Sequence, residues 1–115
     1  METKILLDTN FLLIPAEFRV DIFSELERLM DRKYKLYILD KTIAELKNIK
    51  RLQKGKNSQA AKTALQLIDN KKLNIINTNS MEGSVDDIIS ELANNDYIVV
   101  DIYYLPKMIY LYIAR

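Results

Sequence analysis

The side chains in this chain that are able to do chemistry are carboxylates. It has no His and no Cys. Zinc–thiolate sites, disulfides, imidazole acid–base catalysis and Ser–His or Cys–His nucleophiles are therefore excluded. A metal would have to be held by oxygen, which favours Mg2+, Mn2+ or Ca2+. The first candidate is Asp8, in Lys4-Ile5-Leu6-Leu7-Asp8-Thr9-Asn10-Phe11-Leu12-Leu13. A short run of branched apolar residues reads as a buried strand, and Asp8 ends it. In an open α/β sheet, ligands bind in the crevice outside the carboxyl ends of the strands. A carboxylate there is costly unless a cation or a hydrogen-bond donor meets it. A divalent cation is the sharpest candidate partner. Further acids follow at Glu45, Asp86, Asp87 and Asp101.

The elements that must position these acids follow from apolar periodicity. A strand is expected over 4–7, and a loop over 11–18 because Pro15 interrupts it. A helix over 20–30 buries Ile22, Phe23, Leu26, Leu29 and Met30, with Glu25, Glu27 and Arg28 outside. A second strand covers 35–39. Asp40 then N-caps a helix that carries Ile43, Ala44, Leu46, Ile49 and Leu52 to about residue 54, where Gly55 stops it. Ser58 caps a third helix, closed by Asn70-Lys71-Lys72. A short strand covers 73–77, Ser84 caps a fourth helix to about 93, and strands follow over 97–100 and 108–113.

This order indicates one α/β domain over 1–115, with a mostly parallel sheet flanked by helices on both faces. Right-handed crossovers put every strand's carboxyl end at one edge. Asp8 follows the first strand, and Glu45 lies just past the first turn of the helix after the second. Asp86 and Asp87 lie in the first turn of the fourth helix, and Asp101 directly follows the fourth strand. Topology alone thus draws these acids towards one edge. A carboxylate cluster there would hold one or two Mg2+ or Mn2+ ions. Such a site would activate a water and steady the oxygens of a phosphate during in-line displacement.

Each acid except Asp8 also has a structural reading. Glu45 would complete a capping box with Thr42. Asp86 and Asp87 would oppose a helix dipole behind Ser84, and one of the two is expected to be structural. Asp101 would serve a turn. Asp8 has no cap or hairpin to serve.

Net charge is only +1, so any nucleic-acid contact must come from local clusters. Lys47, Lys50, Arg51, Lys54, Lys56 and Lys62 form one such cluster, and Arg32, Lys33 and Lys35 another. Such runs are ordinarily solvated faces. Beside an acidic metal site they would follow a phosphodiester backbone. The seven Tyr offer stacking surfaces, although most are expected in the core or at its rim. Asp8 interrupts the first apolar run, so no signal peptide is expected, and no run is long enough to span a bilayer. With Cys absent, a cytoplasmic location is expected.

The segment Ile5-Leu6-Leu7-Asp8-Thr9-Asn10-Phe11-Leu12 resembles the opening motif of PIN-domain ribonucleases, a Rossmannoid, VapC-like fold. Ile14-Pro15 and Val20-Asp21-Ile22-Phe23-Ser24-Glu25-Leu26-Glu27-Arg28-Leu29 resemble the archaeal branch related to small-subunit rRNA-processing nucleases. Glu45-Leu46 is similar to the family's second acidic motif. Val85-Asp86-Asp87-Ile88-Ile89-Ser90-Glu91-Leu92-Ala93 is similar to its third. The resemblance implies Mg2+- or Mn2+-dependent cleavage of single-stranded RNA. It matches Asp8, Glu45 and Asp87 to the catalytic, metal-binding acids. Either Asp101 stands in for the fourth or no residue does, and Asn10 matches the polar residue that steadies the site. Lys47, Lys50, Arg51 and Lys54 would bind substrate. After Val100 the family usually has a Thr-x-Asp type turn and another helix. Asp101-Ile102-Tyr103-Tyr104-Leu105-Pro106-Lys107 departs from that.

The expected function is thus a metal-dependent endoribonuclease, of the rRNA-processing or toxin type. The rival is an RNA-binding or ribosome-assembly module that kept the fold and lost the chemistry. Expected partners are single-stranded RNA or an rRNA precursor, an antitoxin peptide in the toxin case, and a second copy, since an apolar edge at 108–113 would favour a homodimer.

Overall fold

The computed structural model describes residues 2–100. The expected strand over 108–113, and with it the dimer edge, lies outside them. Among the described residues, four strands, β1 (Thr3–Leu7), β2 (Tyr34–Leu39), β3 (Asn74–Ile76) and β4 (Tyr97–Val100), form one sheet in the order β3-β2-β1-β4. Every pairing is parallel. Ile5 pairs with Leu36 on one side and Ile98 on the other.

Alternation along the strands divides the core. Ile5, Leu7 and Ile38 join a cluster on one face, and Leu6 and Leu39 join a second cluster on the other. The larger cluster is roofed by α1 (Thr9–Phe18), α2 (Ile22–Leu29), α3 (Asp40–Leu52) and α4 (Lys56–Lys71). The smaller is covered by α5 (Val85–Ala93), through Ile88 and Leu92. Both faces of the central strand β1 are therefore dry. That is the condition under which a parallel strand reads as an unbroken apolar run.

The chain winds from β1 to β2 to β3 in one direction, then returns through α5 to place β4 on the other side of β1. The direction of winding reverses between β1 and β4. Sheets of this class leave a crevice at that point, at the strands' carboxyl ends. Asp8 directly follows β1 there.

Several boundaries differ from the sequence expectation. The 11–18 segment is not a loop: Thr9–Phe18 is helical with Pro15 inside. Proline costs about 3 kcal/mol or more inside a helix. Burial of Phe11, Leu12 and Ile14 outweighs that, at about 1.5–3 kcal/mol for each side chain. The helix ends at Phe18, three residues after Pro15, and its C-cap Arg19 takes a left-handed conformation (φ 53°). Helix α2 begins at Ile22 because Asp21 caps it, accepting from Ser24 N (3.1 Å) and Ser24 Oγ (2.7 Å). Glu25 is fully buried rather than outside, and Arg28 pairs with it. Three residues expected inside are exposed: Leu29, Ala44, and especially Leu52 at 67%.

Helix α3 stops at Leu52, before Gly55. Gly55 instead precedes α4 with φ 67°, a conformation glycine adopts without a Cβ clash. Ser58 does not cap α4; its hydroxyl donates to the Lys50 carbonyl (2.8 Å), tying α4 to α3.

Candidate active site

Asp8 occupies the N-cap position of α1, yet its side chain does not cap that helix. It is half-buried at the reversal point, beside the first-turn amides of α1. Those amides carry the positive end of the helix dipole, which favours a carboxylate there. The next residue anchors the edge. Buried Thr9 donates its hydroxyl to Thr42 Oγ1 of α3 (3.3 Å). Thr42 lies inside α3, so it does not form a capping box with Glu45. Glu45 is one turn beyond Thr42 on the same face of α3 and is half-buried. The Thr9–Thr42 bond therefore sets the start of α1 beside the α3 face that carries Glu45.

A further acid at this edge, Asp40, is one that sequence reasoning reads only as a cap. It is the first residue of α3, directly after β2. Its Oδ1 accepts from Thr78 Oγ1 (2.6 Å) and Lys41 N (2.8 Å), and its Oδ2 accepts from Thr78 N (3.2 Å). These donors, the Thr78 hydroxyl first, hold the carboxyl below the usual carboxylate range. Thr78 is buried and follows β3. The pair pins the start of the loop that leads into α5. A signal was present: Leu39-Asp40-Lys41 repeats the pattern of Leu7-Asp8-Thr9, an apolar strand ended by one acid.

Ser84 caps α5 as expected. It does so in a reciprocal box: its hydroxyl accepts from Asp87 N (3.2 Å), and Ser84 N donates to Asp87 Oδ2 (3.0 Å). The Ser84 N–H is the main cause of a lowered Asp87 pKa. Gly83 makes room for this arrangement. At its φ of 104°, an added Cβ would stand 2.9 Å from Asp87 Oδ2.

Among the described residues, no three acids gather closely enough to hold a metal ion. Among the described residues Asp8, Glu45 and Asp87 thus form no three-carboxylate cluster, and Asp87 Oδ2 is turned back to Ser84 N in the cap of α5. The Asp86 side chain and Asp101 lie outside what is described. The donor chemistry of Asp8 and Glu45, oxygen only and half-buried, fits Mg2+ or Mn2+; the Asp87 carboxylate fits less well.

The expected substrate-binding residues are divided. Lys47, Lys50 and Arg51 line a recess of about 410 Å3 with Leu65. At 3.6 residues per turn, Lys47 and Arg51 lie across α3 from Glu45. Lys54 is exposed in the turn between α3 and α4. Asn10 lines a narrower cavity of about 230 Å3 against Ile49, Gln53 and Asn57.

A family model described as a PIN like domain matches residues 5–104. The chain belongs to the PIN-like domain family. The match runs from β1 through β4 and includes the positions of Asp8, Glu45, Asp86, Asp87 and Asp101. PIN domains are generally nucleases and typically use divalent metal ions. The parallel sheet with helices on both faces is the architecture this PIN-like domain was expected to have. No curated protein matches the chain. No described helix of the PIN-like domain is long and apolar enough to cross a membrane.

Proposed function

We propose that this PIN-like domain is a metal-dependent endoribonuclease acting on single-stranded RNA. The observation that carries the reading is the position of Asp8, half-buried at the carboxyl end of β1 where the winding reverses, at the positive end of α1. Asp8 and Glu45 would hold Mg2+ or Mn2+, with a third carboxylate from the start of α5 and Asp101 as a fourth ligand. The engagement of Asp87 Oδ2 by Ser84 N favours Asp86 as the α5 member. When bound, such an ion would supply a water activated at neutral pH and charge stabilisation around phosphate. The protein's own part is positional. Thr9 and Thr42 fix α1 against α3, Asp40 and Thr78 fix the loop before α5, and the α1 amides offer donors to a phosphate oxygen at the edge. An rRNA precursor or a toxin-type RNA target are both compatible substrates, and an antitoxin peptide is the partner in the second case.

A second reading, an RNA-binding or ribosome-assembly module without catalysis, is favoured by one observation: Asp87, matched to the third acid, is engaged by Ser84 in the cap of α5. One experiment separates the two. The purified protein is incubated with single-stranded RNA and Mn2+, with and without chelator. The nuclease reading expects cutting that chelator abolishes and that Asp8→Asn loses while keeping its circular dichroism and melting. Equal behaviour of Asp8→Asn and wild type across RNAs and metals would transfer the assignment to the binding module.

A further inference from the structure

From the start of α1, two residues past Asp8, a polar groove runs away between α1 and α4. On α1 its wall is the stripe Asn10, Leu13 and Glu17, spaced three and four apart and so on one helix face. Across from it stand Ile49 and Gln53 at the end of α3. They lie four and eight residues beyond Glu45 and extend the face that carries it. This stretch, about 230 Å3, shares Glu17, Asn57 and Ala60 with a second of about 480 Å3, so the two are continuous. The second stretch ends at Arg19 and Lys56. The floor is apolar where Leu13 and Ile49 are half-buried and Ala60 is buried. From Asn10 to Arg19 is nine helical residues, about 14 Å at 1.5 Å each.

We infer that this groove is the track for the single-stranded RNA leaving the site, and that it reads bases in its middle and grips phosphate at its far end. This rests on the nuclease reading above and deepens it. The lining decides the chemistry. Asn10, Gln53, Asn57 and Gln59 carry side-chain amides along the groove, all four exposed. Each offers both donors and an acceptor, which suits base edges and the ribose 2′-hydroxyl. Glu17 lies mid-groove, where it would repel a phosphate but can accept from a base amine. The cations stand only at the exit, where Arg19, on its left-handed turn, faces the start of α4. The backbone charge is therefore met at the exit and the bases in the middle. The recess of Lys47, Lys50 and Arg51 lies across α3 and is not on this path.

The test uses the full chain carrying Asp8→Asn, so that binding is read without cutting, and a fluorescent mixed-sequence single-stranded RNA. Arg19→Gln with Lys56→Gln should weaken binding about tenfold. It should also lower the slope of log affinity against log salt by about 0.7 for each phosphate no longer neutralised. Lys47→Gln with Lys50→Gln should change affinity less than twofold. Glu17→Gln should alter base preference with the salt slope unchanged. The chain has no Cys, so a photoreactive label can be placed uniquely. A label at Gln59→Cys should crosslink the RNA, and one at Lys47→Cys should not. RNA bound with the Arg19 and Lys56 changes silent, or crosslinking at Lys47→Cys instead, overturns the track and leaves the nuclease reading standing. Failure of the Asp8→Asn protein to bind any single-stranded RNA overturns both. Full melting curves for each variant show that the fold is retained.

Discussion

The Asp40–Thr78 pair can be tested by a double-mutant cycle, because each partner can be removed without touching the other. Thr78 is buried, with 1% exposure, and its hydroxyl meets Asp40 Oδ1 at 2.6 Å. Hydrogen bonds to a charged group contribute about 1.5–3 kcal/mol net. Asp40 is half-exposed, so the lower end of that range applies. Asp40→Ala also strands the buried Thr78 hydroxyl and weakens the dipole interaction at the first residue of α3, for a total of about 3 kcal/mol. Thr78→Val leaves Asp40 able to take up water and should cost about 1.5 kcal/mol. The double variant should cost little more than Asp40→Ala alone, giving a coupling of about 1.5 kcal/mol. For a domain of this size Asp40→Ala should lower Tm by roughly 10–20 °C.

The coupling must also depend on pH. The native Asp40 pKa is lowered, mainly by the Thr78 hydroxyl. A depressed carboxylate stabilises the fold above its unfolded pKa, and that contribution is lost as pH falls through the native pKa. The cycle should therefore give its full coupling at pH 7 and a vanishing one in acid below the native pKa. Urea titrations followed by circular dichroism at both pH values measure it. A coupling under about 0.5 kcal/mol at pH 7, or one unchanged in acid, would refute the claim that this carboxylate ties β2 to the loop before α5.

Arg28→Ala should destabilise the protein by about 1–3 kcal/mol, since it removes a cationic partner of a fully buried carboxylate while Arg28 itself is partly exposed; chemical denaturation gives the figure. Gly83→Ala should cost about 1–2 kcal/mol from the positive φ alone, and it should displace Asp87 from its cap, so the protein should melt lower and hydrogen exchange at the start of α5 should rise. Pro15→Ala should cost less than Leu12→Ala, about 2–5 kcal/mol for the latter, because core burial rather than local propensity holds α1; equal or reversed losses in thermal melts would contradict that.

The parallel sheet was legible because its strands announce themselves as short apolar runs bounded by polar punctuation: Leu7-Asp8, Leu39-Asp40, and Asn94-Asn95-Asp96 before Tyr97. The Ser84 cap was legible for the same local reason. Helix α1 was not, because Pro15 is a local signal for a break while the burial of Phe11, Leu12 and Ile14 is a tertiary one. Glu25 was misplaced because helical spacing cannot show how far a neighbouring element reaches over a face. At the candidate site, the position of Asp8 at the carboxyl end of β1 was legible from the apolar run that it ends. The capping of Asp87 was half legible, since Ser84 just before the helix allows either Asp86 or Asp87 near its start, and only geometry shows which carboxylate turns back. The division of the basic residues was hidden in the phase of α3. Glu45 and Gln53 are eight residues apart and share a face, while Lys47 and Arg51, closer in sequence, lie across the helix.

The most direct measurement is Mn2+ binding by isothermal titration calorimetry, with electron paramagnetic resonance of the free ion as a cross-check. Wild type should bind with a defined stoichiometry, Asp8→Asn and Glu45→Gln should each lose binding by tenfold or more, and Asp87→Asn should keep it while melting at a lower temperature. Mn2+ held equally well by wild type and Asp8→Asn, both folded, would contradict the assignment of this edge as an ion site.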